Sequence, residues 1–289
     1  MIAVTGASGH LGRLVVNSLL QKVPAGQIVA VVRTPDKVKD FASKGVVVRQ
    51  ANYSRSETLA PAFAGVDKLL LISGNEVGRR IEQHKAVIAA AKQAGVKLIV
   101  YTSLLHCDKS PIMLRDEHWP TEEAIRASGI PFVILRNSWY TENYTNAVAQ
   151  AAKTGVHYGC AQGGRVSAAS RADYADAAVA VLTAKEPQGG KIYELAGDDA
   201  FTFAEFAAEV SRQSGKPVKY QDLPEAEYKA VLVKVGLPEP IAGMLANGDA
   251  GIAKGALYDD SRQLHSLIGR ATTPISATVA AVLASGAHA

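Results

Sequence analysis

The chain has 289 residues, of which 48% are hydrophobic and 20% charged, a globular composition long enough for one large domain or a domain with a lobe. Its 31 basic and 27 acidic residues leave a net charge of +4. They are scattered, with no basic block and no basic stripe interleaved with aromatics, which argues against a nucleic-acid partner.

Over residues 1–136, short apolar runs alternate with helical stretches. "MIAVTG", "IVAVVR", "GVVVRQA", "DKLLLIS", "KLIVYTS" and "PFVILRN" are nearly free of charge and do not alternate, as expected of strands buried on both faces of a parallel sheet. Between them lie "HLGRLVVNSLLQ", "TPDKVKDFASKG", "RSETLAPAFAG", "RRIEQHKAVIAAAKQAG" and "TEEAIRASG", several closing on glycine as helices do. This βαβ order predicts an α/β fold, a Rossmann-type doubly wound parallel sheet with right-handed crossovers.

Residues 137–289 are more loosely patterned. "GGRVSAASRADYADAAVAVLT" reads as a strand and then a helix capped by Asp173, and "KIYELAG" as a further strand. "TFAEFAAEVSRQSG" is a helix opened by Thr202 with Glu205 three positions on, the spacing of a capping box. "PVKYQDL" is strand-like, and helices complete the chain. The expectation is a smaller C-terminal α/β substrate lobe, residues 137–289, packed over the carboxyl edge of the sheet, where open α/β sheets bind ligands.

Cys107 and Cys160 form neither a disulfide framework nor a CxxC pair. Met1 runs directly into strand pattern with no leader, and the apolar tail "TPISATVAAVLASG" is too short to span a bilayer. A soluble, cytoplasmic protein without membrane insertion or metal is expected.

"VTGASGHLGRL" sets Gly6, Gly9 and Gly12 between the first strand and the first helix. Gly6 permits a tight turn, Gly9 the approach of a pyrophosphate, and Gly12 close helix–strand packing. With Ala7, Ser8, His10 and Leu11 these form the expected dinucleotide turn, at a helix N-terminus that favours anions. The second strand ends in Arg33 rather than an acidic residue. An arginine there pairs with a 2′-phosphate, which selects NADPH while leaving NADH possible. His10 and Lys37 are further candidates for that phosphate. Asn52 is placed at the adenine, and Ile72, Ser73, Gly74 and Asn75 beside the nicotinamide ribose. Thr102, Asn137 and Trp139 complete the expected cofactor set.

The strings "MIAVTGASGHLG", "VDKLLLISGNEVG", "VIAAAKQAGVKLIVYTSLLH", "DEH", "LRNSWYTENY", "SRADYA", "IYELAGD" and "KGALYDDS" together resemble the NmrA-like, atypical short-chain dehydrogenase/reductases over nearly the whole chain, most closely their quinone-reducing members. The resemblance implies hydride transfer from NADPH to small quinones without flavin, by a monomer or homodimer. One departure stands out. Catalytic relatives carry Tyr-x-x-x-Lys after the fifth strand, whereas here Leu114 and His118 match those two positions. A base is needed to oxidise an alcohol or epimerise a sugar; a quinone is electrophilic enough to need mainly proximity and orientation. His118, Tyr140 and Asn143 are the catalytic candidates, with Trp139 and Tyr140 able to stack on a planar acceptor. Tyr101 and Ser103 are alternative proton donors. Asp116, Glu117, Glu122 and Glu123 read as a solvated helix entry, with Pro120 in its first turn. Two other readings share the fold: an NADP(H)-sensing regulatory protein without turnover, and an aromatic-ether or isoflavone-type reductase, for which the usual lysine is missing.

Overall fold

A computed structural model describes residues 1–286 of the chain. In order, the elements are β1 (Ile2–Thr5), α1 (His10–Leu19), β2 (Ile28–Val32), α2 (Lys39–Ala42), β3 (Val47–Gln50), α3 (Leu59–Ala62), β4 (Lys68–Leu71), α4 (Arg80–Gln93), β5 (Leu98–Leu104), α5 (Arg115–Ala127) and β6 (Phe132–Asn137). There follow α6 (Thr145–Thr154), β7 (Val156–Gly159), α7 (Arg171–Thr183), β8 (Lys191–Leu195), α8 (Phe203–Ser214) and β9 (Lys219–Asp222). Helices α9 (Glu225–Lys234), α10 (Glu239–Ala253), α11 (Gln263–Ile268) and α12 (Ile275–Gly286) close the chain. Among the described residues no helix is long and apolar enough to cross a membrane.

The first compact unit comprises Met1–Cys107, Asp116–Asn137 and Arg171–Tyr193. It is organised on a 7-stranded sheet ordered β3-β2-β1-β4-β5-β6-β8, parallel from β3 through β6. Every residue of β2 and β5 is buried, which is why those runs are free of charge and lack the alternation of a half-exposed strand. Strand order reverses between β1 and β4, the switch point at which such sheets open a crevice for ligands. Ala3, Val29, Leu69, Ile99 and Ile134 of the strands pack into one hydrophobic core with Phe63, Val87 and Ile125.

The second unit comprises Asp108–Arg115, Ser138–Ser170 and Glu194–Ala289, of which the structure describes residues up to 286. Its small sheet pairs β7 with β9 in parallel, His157 opposite Tyr220. Phe201, Phe203 and Phe206 pack around Tyr144, and Phe203 and Phe206 also around His157. The capping box of α8 is formed in full, Thr202 accepting from the Glu205 amide and Glu205 from that of Thr202.

The division differs from the single boundary expected between 136 and 137. Residues 171–193 return to the first unit because α7 is buried along most of its length by Tyr174, Ala175, Ala177, Ala178, Val179, Val181 and Leu182. Its small residues let it lie against α1, where the Ser18 hydroxyl donates to Asp176 at 3.1 Å, and Lys68 donates to the Leu182 carbonyl at 2.6 Å. Asp173, expected as the cap of α7, lies inside its first turn and is fully buried. The strand expected in "GGRVSAAS" is reduced to isolated bridges, Val166 with Phe201 and Ala169 with Tyr140. The regular strand is β7 instead, which lies in a half-polar stretch with no apolar run to mark it.

Candidate cofactor and active site

Steric demands explain the glycine turn between β1 and α1. Gly6 has φ +59°, a left-handed conformation that glycine adopts without penalty, and the Gly9 amide donates to the Gly6 carbonyl at 2.9 Å. A β-carbon on Gly12 would lie 2.7 Å from Ala7 Cα and press on the Gly6 carbonyl. Only a bare backbone fits. Ala7, Leu11 and Gly12 are buried beneath the turn, while Gly9 and His10 are exposed and Ser8 is half-buried. Helix α1 begins with no side-chain cap and no acidic residue in its first turn, so its positive end is not neutralised locally.

At the end of β2, the exposed Arg33 donates to Glu76 at 3.0 Å, and its own carbonyl accepts from Gln50 at 3.0 Å. Lys37 is exposed, its carbonyl accepting from Arg13 at 3.2 Å. Asn52 holds its own turn, its side chain accepting from the Ser54 amide at 3.0 Å.

The segment after β4 is anchored by groups that a reading of the sequence does not reveal. The Ile72 amide donates to Thr5 Oγ1 at 3.1 Å and the Ser73 amide to Thr102 Oγ1 at 2.9 Å. The Gly74 amide donates to His84 Nε2 at 3.0 Å, and the Gly74 carbonyl accepts from Arg80 Nε at 2.5 Å. The Gly78 amide donates to the Glu117 carboxylate at 2.5 Å, whose other oxygen lies 3.3 Å from Arg80 Nη1. Because His84 Nε2 accepts, Nδ1 carries the proton and donates to Thr121 Oγ1 at 3.1 Å; that hydroxyl donates to the Glu117 carbonyl at 2.9 Å. Burial, helped by the Arg80 charge, pushes the His84 pKa down to about 3, which keeps the ring neutral and able to accept. Thr5, Arg80, His84 and Glu117 are thus missed positioning residues. Their partners lie on other elements, and no local pattern marks them.

His118 shares a 2.7 Å hydrogen bond with the Tyr101 hydroxyl, both groups being buried. Burial, then the charge of Arg80, pushes the His118 pKa down to about 3, and burial raises Tyr101 well above the ordinary phenol value. Both are neutral near pH 7, so His118 does not stand there as an imidazolium acid. The Ser103 hydroxyl donates to Glu122 at 2.6 Å, and Arg136 and Arg126 donate to the same carboxylate at 2.9 and 2.8 Å. Burial alone would raise Glu122; hydrogen bonds from Arg136, Ser103 and Arg126 overcome it and lower the pKa.

This corrects the reading of the α5 carboxylates as a solvated helix entry. Asp116 and Glu123 are exposed, but Glu117 and Glu122 are buried and paired. Helix α5 begins at Arg115, so Pro120 lies inside it and not in its first turn. The carbonyl deprived of its N–H partner belongs to Asp116, which is exposed to water.

Asn137 ends β6 with its side-chain oxygen buried and without a hydrogen-bond partner among the described residues. In the second unit, Tyr140 is half-buried and Asn143 exposed on one short turn, the Asn143 amide donating to the Tyr140 carbonyl at 3.0 Å. Trp139 packs by Gly248, where a β-carbon would meet its ring at 3.3 Å.

Comparison with known proteins agrees with this architecture. The chain is 52% identical over 279 residues to quinone oxidoreductase 2 of Escherichia coli, covering 96% of this chain and 97% of that protein. The crystal structure of the NADPH-dependent quinone oxidoreductase of Escherichia coli complexed with NADPH superposes with a TM-score of 0.96 at 51% identity, covering 98% of this chain and 99% of that one. Triphenylmethane reductase of Citrobacter sp., solved with NADP(H), gives 0.93 at 41% identity, covering 98% of this chain and 100% of that one. The model of the NmrA-like family matches residues 1–280, and the chain belongs to that family.

Proposed function

We propose that the protein is an NADPH-dependent quinone reductase that transfers a hydride directly to small quinones without flavin. The observation that carries this reading is the identity of 52% with a quinone oxidoreductase over nearly the full length of both chains. The residues present fit a phosphorylated dinucleotide. The turn has backbone where a β-carbon at Gly12 would go, α1 offers an uncapped positive end, Arg33 supplies an exposed cation, and Asn137 holds a buried oxygen in want of a donor.

On this reading, Gly6 to Gly12 hold the pyrophosphate against the α1 N-terminus, Arg33 takes the 2′-phosphate, and Asn52 lies at the adenine. Ile72 to Asn75, with Thr102 behind Ser73, line the nicotinamide ribose. Bound there, NADPH supplies a hydride that, with one proton from water, converts a quinone to a hydroquinone. The chain's own contribution is orientation. Arg80, His84 and Glu117 fix the backbone of the 73–78 segment, and neutral His118 fixes the Tyr101 hydroxyl. Trp139, Tyr140 and Asn143 offer the planar and polar groups that a flat acceptor requires. No tyrosine–lysine acid is needed, because the reduced oxygens of a quinone are weakly basic and gain protons from water. The two buried free thiols suit a reducing, cytoplasmic setting.

The test is consumption of NADPH, followed by its near-ultraviolet absorbance, on addition of simple benzoquinones and naphthoquinones to the purified protein. Quinone-dependent loss above the spontaneous rate is expected. Tight NADPH binding without turnover of any quinone would overturn the enzyme in favour of a sensor.

A further inference from the structure

Glu76 is held by three side chains at once. Its Oε1 accepts from Arg33 at 3.0 Å, and its Oε2 accepts from Arg79 at 3.3 Å and from Gln83 at 2.9 Å. Gln83 is buried, whereas the two arginine side chains are 63% exposed and that of Glu76 is 34% exposed. The arginine at the end of β2 is therefore already paired with a carboxylate on the segment after β4.

A 2′-phosphate bears close to two negative charges and makes bidentate contact with a guanidinium. Glu76 Oε1 stands on that same guanidinium, and two anions that close repel each other. Release of Oε1 from Arg33 costs little, because Oε2 keeps Arg79 and Gln83. An adenosine with a free 2′-hydroxyl brings no charge to compete, so Glu76 stays on Arg33.

We infer that Glu76 is a specificity-determining residue. It neutralises Arg33 in the cofactor-free protein, yields Arg33 to a 2′-phosphate, and so sets how strongly the phosphorylated dinucleotide is preferred. This rests on the NADPH reading above and adds the competing carboxylate to it.

The probes are 2′,5′-ADP and 5′-AMP, which isolate the adenosine end, titrated calorimetrically against the intact protein. Glu76→Gln retains the shape of the side chain and removes its charge. It should tighten 2′,5′-ADP about two- to five-fold, the span commanded by an exposed ion pair, and leave 5′-AMP unchanged. In an Arg33→Ala background the same substitution should bring a smaller gain. Weakened 2′,5′-ADP binding by a variant with an unaltered thermal midpoint, an equal change for both probes, or an equal gain in both backgrounds would overturn the role of Glu76. Wild-type protein that does not prefer 2′,5′-ADP to 5′-AMP would instead overturn the NADPH reading itself, so the two failures are separable.

Discussion

Replacing Glu117 tests whether the segment after β4 is positioned from beneath. The carboxylate accepts from the Gly78 amide at 2.5 Å and faces Arg80 at 3.3 Å, and both side chains of the pair are 11% exposed. Removing one partner of a buried ion pair costs about 3–5 kcal/mol. Arg80 retains the Gly74 carbonyl through Nε, which places Glu117→Ala at the lower end, about 3 kcal/mol. Glu117→Gln still presents an oxygen to the Gly78 amide and loses only the charge, about 1.5 kcal/mol. Equilibrium urea unfolding of the three proteins measures both numbers. Calorimetric titration with NADP+ and NAD+ then asks about function. Glu117 acts on the backbone of the 73–78 segment, proposed above to line the nicotinamide ribose of either cofactor, so both affinities should fall, differing by no more than about the two- to five-fold that Glu76 on the same segment commands. Stability of Glu117→Ala within about 0.5 kcal/mol of wild type, the range of an ordinary surface change, would refute the reasoning. So would a loss confined to NADP+.

Arg33→Ala should weaken NADPH at least about ten-fold, the worth of a charge-assisted contact, with little change for NADH; equal losses in fluorescence titrations would refute the assignment. Gly12→Ala places a methyl 2.7 Å from Ala7 Cα, where backbone cannot yield, and should cost about 1–3 kcal/mol as overpacking and abolish dinucleotide binding; unchanged affinity would show that the turn is not the cradle. Stability should also fall on acidification. His84 and His118 titrate at about 3 and His157 at about 4 in the fold, against an ordinary 6.5, so their contribution is complete above pH 6.5 and is lost as pH falls below it. Buried Asp249, raised to about 7, opposes them, binding a proton in the fold that the unfolded chain has released. Near pH 5 the unfolded chain therefore holds two more protons on these four groups, a slope of about 3 kcal/mol per pH unit. Urea midpoints that stay level between pH 6.5 and 5 would contradict it.

What was legible in the sequence is what backbone geometry writes into residue type. Gly6 and Gly12 stand where a positive φ and a closed β-carbon site demand them, the fully buried β2 is apolar throughout and β5 is free of charge, and Thr202 with Glu205 caps α8 from three positions away. What was not legible depends on partners distant in the chain. Gly78 and Glu117 meet across 39 positions, and "DEHWPTEE" taken alone reads as a charged helix entry. One of these contacts did leave a trace. Arg136 lies in "FVILRN", inside a strand otherwise suited to burial on both faces, and a buried guanidinium requires a carboxylate nearby. Helix α5 immediately precedes β6 and carries four carboxylates, so one of them had to turn inward; Glu122 does, 14 positions away. His84 left no such trace. Its acceptor role on the Gly74 amide follows only from the helix that places it there and from the burial that keeps it neutral. The departure from the tyrosine–lysine pattern at 114 and 118 has the same origin. In the first unit, the His118 ring is buried against Tyr101 and neutral, which suits a residue that orients a hydroxyl, and a reaction whose acceptor draws the hydride through its own electrophilicity can proceed without a charged acid at that position.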